Sequence, residues 1–195
     1  MLYGDGTMHV HQKISSPPRW VPSWRAWAGL LVASALAQPV VAVHRDWMPR
    51  NLMLCDPNPG ILDFQDAVRG PVAYDVLSLF KDAFLSWPAA RVDDWVGDYH
   101  ARALAAGIAV PPLAQFRRDV DWIGVQRHLK VLGIFARLNH RDGKPHYVAD
   151  APRFVAYLDG VLPRYPELAP LAEVIELRVK PALVELARGQ EGMGG

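Results

Sequence analysis

The sequence predicts an α+β fold, mostly α, in which a small β hairpin feeds a body of about five helices. Three observations lead there. Short apolar runs at 40–43, 52–55 and 60–64 are bounded by turn-forming residues, the pattern of short strands. After Pro71 the apolar residues recur at three and four positions, the period of a helix with one covered face. Proline and glycine then punctuate the helical pattern at Pro111-Pro112, Gly143-Lys144-Pro145 and Pro163 to Pro166. A chain of 195 residues that is 51% hydrophobic is long enough for one substantial core, and its length favours one domain.

Residues 1–23 contain Gly4, Gly6, Pro17, Pro18 and Pro22 without a sustained period, and are expected to be an irregular N-terminal segment. The folded unit is expected over 24–188, with 189–195 as a flexible Gly-rich tail. The stretch RAWAGLLVASALAQPVVAV, residues 25–43, imitates a secretory signal with its arginine, apolar run and Ala35-Leu36-Ala37. Its apolar core, 26–37, is too short to span a bilayer and is broken by Gln38-Pro39, which favours a buried helix ended by proline and then a buried strand at 40–43. Asp56-Pro57-Asn58-Pro59-Gly60 is a turn signal that folds 52–55 back against 60–64. Asp75, Val76, Leu79, Phe80 and Ala83 open the helical part, which stops at Trp87-Pro88. Further helical stretches are expected at 92–106, 113–138, 151–165 and 168–187.

Charge gives little direction. With 21 Lys+Arg against 20 Asp+Glu the net charge is +1, so the balance proposes neither a nucleic-acid nor an anionic-membrane partner. The single cysteine, Cys55, cannot form an internal disulfide, which fits a reducing, cytoplasmic setting, and it is expected to be a buried structural thiol. His100, His128, His140 and His146 lie in different segments without the spacing of zinc ligands. Arg127, His128 and Lys130 alternate with apolar residues at helical spacing and are expected on a solvated face.

The chemistry concentrates in residues 43–67. His44-Arg45-Asp46-Trp47-Met48-Pro49-Arg50-Asn51 lies between two strands, whose ends fix the loop. One carboxylate there can orient or deprotonate a hydroxyl, and one amide oxygen can ligate Mg²⁺. Asp63 follows in Ile-Leu-Asp-Phe-Gln, where the hairpin can bring its hard oxygen opposite Asn51. The order H-R-D-x-x-x-x-N, hairpin, D-F-x is that of a protein-kinase catalytic loop and metal motif, in the expected strand–loop–strand context.

VHRDWMPRNLM, GILDFQDAVRGPVAYDVLSLFKDAF and DWIGVQRHLKVLGIFARLNHRDGKPHYVADAPRFVAYL resemble the kinase-like aminoglycoside/choline phosphotransferase superfamily. Within it they are most similar to the bacterial anomeric N-acetylmuramate/N-acetylglucosamine kinases of cell-wall recycling. The resemblance implies the C-terminal lobe of a protein-kinase-like fold, with ATP and Mg²⁺ as cofactors and a small-molecule sugar as acceptor. It implies Asp46 as catalytic base, Asn51 and Asp63 as ligands of the nucleotide-bound metal, and His44 and Asp75 as supports of the loop. Asp66, Arg127, Asn139 and Arg141 are candidate sugar contacts. In that family a separate N-terminal lobe supplies a glycine-rich loop, a lysine and a glutamate. Here 43 residues precede His44, Tyr3-Gly4-Asp5-Gly6-Thr7 lacks a third glycine, and Lys13 lies too close to it. The expectation is therefore a chain without the ATP lobe, truncated or wrongly started, that binds Mg-ATP weakly and turns over little alone. A non-catalytic remnant or binding module, an aminoglycoside-type kinase and a secreted protein beginning at Gln38 remain as alternatives, and the residues leave the acceptor sugar and oligomeric state open.

Overall fold

A computed structural model describes residues 21–81 and 85–191. Gly4, Gly6, Lys13, Ala83 and the last four residues of the expected tail lie outside the described residues. The chain opens with helix α1 (Val21–Ala37) and strand β1 (Val40–Val43). A short hairpin, β2 (Leu52–Met53) and β3 (Gly60–Ile61), comes next, then strand β4 (Val68–Pro71). The helical body consists of α2 (Tyr74–Phe80), α3 (Ala89–Ala105), α4 (Leu113–Asp142), α5 (Ala151–Val161), α6 (Ala169–Val174) and α7 (Lys180–Glu191). A π-helical turn, Ile175–Val179, joins the last two. Among the described residues no helix is long and apolar enough to cross a membrane.

The strands form two nested antiparallel ladders. The outer one pairs β1 with β4, from Val40↔Pro71 to Val43↔Val68, and the inner one pairs Leu52↔Ile61 and Met53↔Gly60. Strand β4 is an addition to the sequence reading, because Val-Arg-Gly-Pro has no alternating pattern to announce it and owes its extended form to its partner. The hairpin strands are two residues each, shorter than the expected 52–55 and 60–64. Cys55 is free and exposed rather than buried. It lies just past the end of β2 in the turn, where its Sγ donates to the Pro57 carbonyl at 3.2 Å. Helix α1 and strand β1 are also less buried than expected. Leu31 is covered, but Leu36 is 80% exposed, since α1 packs one face on α4 and α6. Of the strand, only Val43 is fully buried.

Helix α4 organises the body. Its 30 residues extend about 45 Å and contribute to both apolar clusters. Trp122 and Val125 join Leu31, Leu158, Leu168 and Leu171 on one side, whereas Phe116, Val120 and Ile123 join Val76, Leu77, Val92 and Val96 on the other. Covered from both sides, residues 119–125 are buried all round, which is why a simple amphipathic stripe does not describe this helix. Its end is set by Gly143, in the left-handed region at φ 61°, with Lys144 N–H donating to the Leu138 carbonyl at 3.0 Å. The buried Asp121 carboxylate ties two other elements to α4. It accepts from Lys81 Nζ at 3.2 Å, Arg164 at 3.0 Å and the Tyr165 hydroxyl at 2.7 Å, so its charge is paired and its lone pairs are used.

His128 corrects the expectation of a solvated face. It is 1% exposed, stacked on Tyr157 at 4.8 Å and edge-on to Phe154. The helix turns its ring under α5, while Lys130, two residues on, stays exposed. Burial, reinforced by the charges of Lys81 and Arg127 and opposed by a hydrogen bond with the Lys81 backbone, lowers its pKa to about 3. The folded value lies below that of the unfolded chain, so the unfolded state takes up a proton that the folded state refuses as pH falls through the window between them. Stability at neutral pH is therefore lost progressively below about pH 6.5. Replacing His128 by Phe is expected to flatten the decline of the urea midpoint between about pH 6.5 and 4. An unchanged decline in that window contradicts this assignment.

Candidate active site

The site lies where the two ladders meet. Residues 44–51 leave β1 and enter the hairpin, and residues 62–67 return from it to β4. At the first turn of α2, Asp75 accepts from the backbone N–H of His44 at 2.7 Å and of Arg45 at 3.0 Å. One carboxylate thus holds two successive amides of the loop. Arg45 sits at φ 78°, a conformation that costs a non-glycine residue about 1–3 kcal/mol and persists when its surroundings over-determine it. Here they do: its N–H is held by Asp75, and its carbonyl accepts from Arg127 at 3.0 Å and the Ser78 hydroxyl at 3.4 Å.

His44 closes the gap between the ladders. Its Nε2 donates to the Leu62 carbonyl at 2.8 Å, which fixes the proton on Nε2 because a carbonyl can only accept. Its ring meets Trp47 edge-on at 5.5 Å. The Leu62 N–H in turn donates to the Asn51 carbonyl at 2.9 Å, adding one rung beyond Leu52↔Ile61. Asn51 therefore lies across from Leu62, one residue from Asp63. Its side-chain Nδ2 donates to the Asp46 carbonyl at 2.9 Å, which leaves Oδ1 as the amide's acceptor atom. Asp63 occupies the left-handed region at φ 61° and ψ 34°, which aspartate tolerates, and its Oδ1 accepts from Gln65 at 2.7 Å.

The carboxylate of Asp46 is 48% exposed, so a solute can reach it. Arg127 approaches it at 3.3 Å and also donates to the Tyr74 hydroxyl at 3.1 Å. Asp66 is exposed, and its backbone carbonyl accepts from Arg45 at 3.4 Å. The structure thus gathers His44, Asp46, Asn51, Asp63, Asp66, Asp75 and Arg127 around one loop. Asn139 and Arg141 are elsewhere, 12 and 14 residues beyond Arg127 on α4, about 18 and 21 Å along its axis. Arg141 is paired with its neighbour Asp142 at 2.6 Å, which holds that carboxyl below the usual range. Tyr74, Ser78 and Gln65 are part of the network although no sequence motif singles them out; Tyr74, immediately before Asp75 in Gly-Pro-Val-Ala-Tyr-Asp, offers the nearest signal.

For a divalent cation the donor set is small but suitable. Among the described residues no three His, Cys, Asp or Glu side chains gather as a metal group. An amide oxygen from Asn51 and an exposed carboxylate from Asp63 are two hard oxygen donors, the kind of partial shell that Mg²⁺ completes with water and phosphate oxygens. A cavity of about 510 Å³ opens elsewhere, between α3, α4 and α5, beside Lys81, Trp87, Arg117 and Asp121. None of the residues singled out in the loop lines it.

A family model described as the phosphotransferase enzyme family matches residues 10–116. This chain belongs to the phosphotransferase enzyme family. The matched region contains both ladders, the loop and α2. It is similar to an N-acetylmuramate/N-acetylglucosamine kinase of Pseudomonas putida, 62% identical over 78% of this chain and 45% of the relative. The kinase of the same name from Pseudomonas aeruginosa is 53% identical over 89% of this chain and 52% of the relative. A third, from Neisseria meningitidis, is 53% identical over 79% and 47%. The chain spans about half the length of the curated relatives it matches.

The double bond to Asp75 has a measurable consequence. Asp75→Ala leaves two loop amides without their charged acceptor and is expected to lower the unfolding free energy by about 2–3 kcal/mol in urea titration. An unchanged midpoint contradicts the bracing described here.

Proposed function

We propose that this phosphotransferase chain provides the base and metal half of an ATP-dependent sugar kinase. The acceptor is the anomeric hydroxyl of N-acetylmuramate or N-acetylglucosamine, in cell-wall recycling in the cytoplasm. One observation carries the reading: the nested ladders hold Asn51 across from Leu62, beside Asp63, while Asn51 also bonds the backbone of Asp46. A base and two hard donors are thereby linked through a single short loop. The names of the similar proteins support the choice of sugar.

In this reading Asp46 receives the proton of the acceptor hydroxyl through its exposed carboxylate. The hydroxyl oxygen forms a bond to the γ-phosphorus, the bond from that phosphorus to the β–γ bridging oxygen breaks, and ADP leaves. Asn51 and Asp63 would hold Mg²⁺, which supplies neutralisation of phosphate charge when bound. His44 and Asp75 keep the loop in place without touching the reacting atoms.

Asp46→Asn keeps the size of the side chain and removes its basicity. In a chain extended to the length of the curated relatives it is expected to lower kcat for ATP-dependent phosphorylation of N-acetylmuramate by about 10²–10⁴-fold, with the urea midpoint preserved. Equal turnover by the two proteins removes Asp46 from the role of base. N-acetylglucosamine and an aminoglycoside assayed in parallel decide the acceptor, and preference for the aminoglycoside overturns the sugar assignment.

A further inference from the structure

Arg127 is placed to do more than line a sugar site. Among the described residues its guanidinium is the side-chain group bonded to the Asp46 carboxylate, through NH2 at 3.3 Å. The same fork reaches the Arg45 carbonyl at 3.0 Å and the Tyr74 hydroxyl at 3.1 Å through NH1, and its carbon lies 5.5 Å from the Tyr74 ring centre. Three partners on two chain segments therefore converge on one planar cation, a geometry that the rigid fork of arginine suits and the point charge of lysine does not.

Its carrier is equally fixed. Arg127 stands between Val125, fully buried, and His128, 1% exposed, in the covered middle of α4. One turn earlier, Gly124 allows close approach of α2: a Cβ there would lie 3.0 Å from Leu77 Cδ1. Leu77 is one turn beyond Tyr74, so the contact that seats α2 against α4 also sets the reach from Arg127 to Tyr74 and the loop. The Arg127 side chain is 16% exposed. Turning it toward a sugar would release the carbonyl of the strained Arg45 and the Asp46 carboxylate together.

We propose that Arg127 is the positioning residue of the base: it latches Asp46 and the Arg45 carbonyl to α4, leaving the second carboxylate oxygen for the acceptor hydroxyl. As a role in catalysis this rests on the proposed kinase reading. As a latch it does not, and the two can be tested apart.

Hydrogen exchange of the amides of residues 44–47 reads the latch in the protein without substrate. Arg127→Gln is expected to speed that exchange about tenfold or more while the amides of α3 and α5 keep their rates. Tyr74→Phe, which removes one partner and preserves the ring, is expected to act in the same direction more weakly. In steady-state assays with N-acetylmuramate and Mg-ATP, Arg127→Gln is expected to lower kcat on the order of 10–10²-fold with the KM for sugar within about twofold, and Arg127→Lys to recover part of the loss. Unchanged exchange at 44–47 in Arg127→Gln overturns the latch. A raised sugar KM with kcat retained makes Arg127 a sugar contact instead, and equal acceleration of exchange in every helix makes it a structural residue alone. If neither this chain nor one extended to the length of its relatives phosphorylates any of the sugars, the kinase reading fails, while the exchange result still decides the latch.

Discussion

The Asp75 carboxylate, accepting two successive backbone N–H groups from His44 and Arg45, is the contact on which the rest of the site depends. It joins the start of the helical body to the end of the first strand, and it holds Arg45 in a backbone conformation that an isolated arginine would leave. With that residue fixed, Asp46 projects from a determined point. The Asn51 amide bonds the Asp46 carbonyl, and the Asn51 carbonyl receives the Leu62 N–H. The backbone that carries the base and metal-ligand candidates is thus held by hydrogen bonds from Asp75, Asn51 and Leu62.

The two ladders are too small to be stable by themselves. A two-stranded ribbon is marginal in water, and the inner one has two residues in each strand. Their rigidity comes from the helical body, through Val72, Ala73, Val76 and Leu77 in the cluster shared with α3 and α4. Helix α4 is therefore part of the site's support, although it follows the motif by about 50 residues in sequence. The salt-bridged Asp121 serves the same end, fixing the end of α2 and the 162–165 turn to one helix.

Much of this was legible in the sequence, for definite reasons. The H-R-D-x-x-x-x-N spacing and the proline-rich turn announced the loop and hairpin because those elements are local, set by residues a few positions apart. The helices after Pro71 were legible from their period, with ends shifted by a few residues: α4 runs on to Asp142, and the helix expected over 151–165 becomes α5 followed by short 3₁₀ turns. What escaped depends on distant partners. Strand β4 is defined by β1, and the burial of His128 by Phe154 and Tyr157 on α5. The contact of Arg127 with Asp46 spans 81 residues. Cys55 is exposed rather than buried because β2 ends at Met53 and leaves it in the turn. Asn139 and Arg141 shared a polar interruption pattern with Arg127, but helical rise carries them away from the loop.

The proposed joint action of Asn51 and Asp63 on a nucleotide-bound cation beside Asp46 is open to direct measurement. Paramagnetic broadening by Mn²⁺ in the presence of ADP, followed in amide NMR spectra, tests it most directly. Selective loss of the signals of Asn51, Leu62 and Asp63 is expected, with α5 and α6 unaffected and the broadening abolished in Asp63→Asn. Broadening scattered over the acidic surface, or unchanged in that variant, would contradict it.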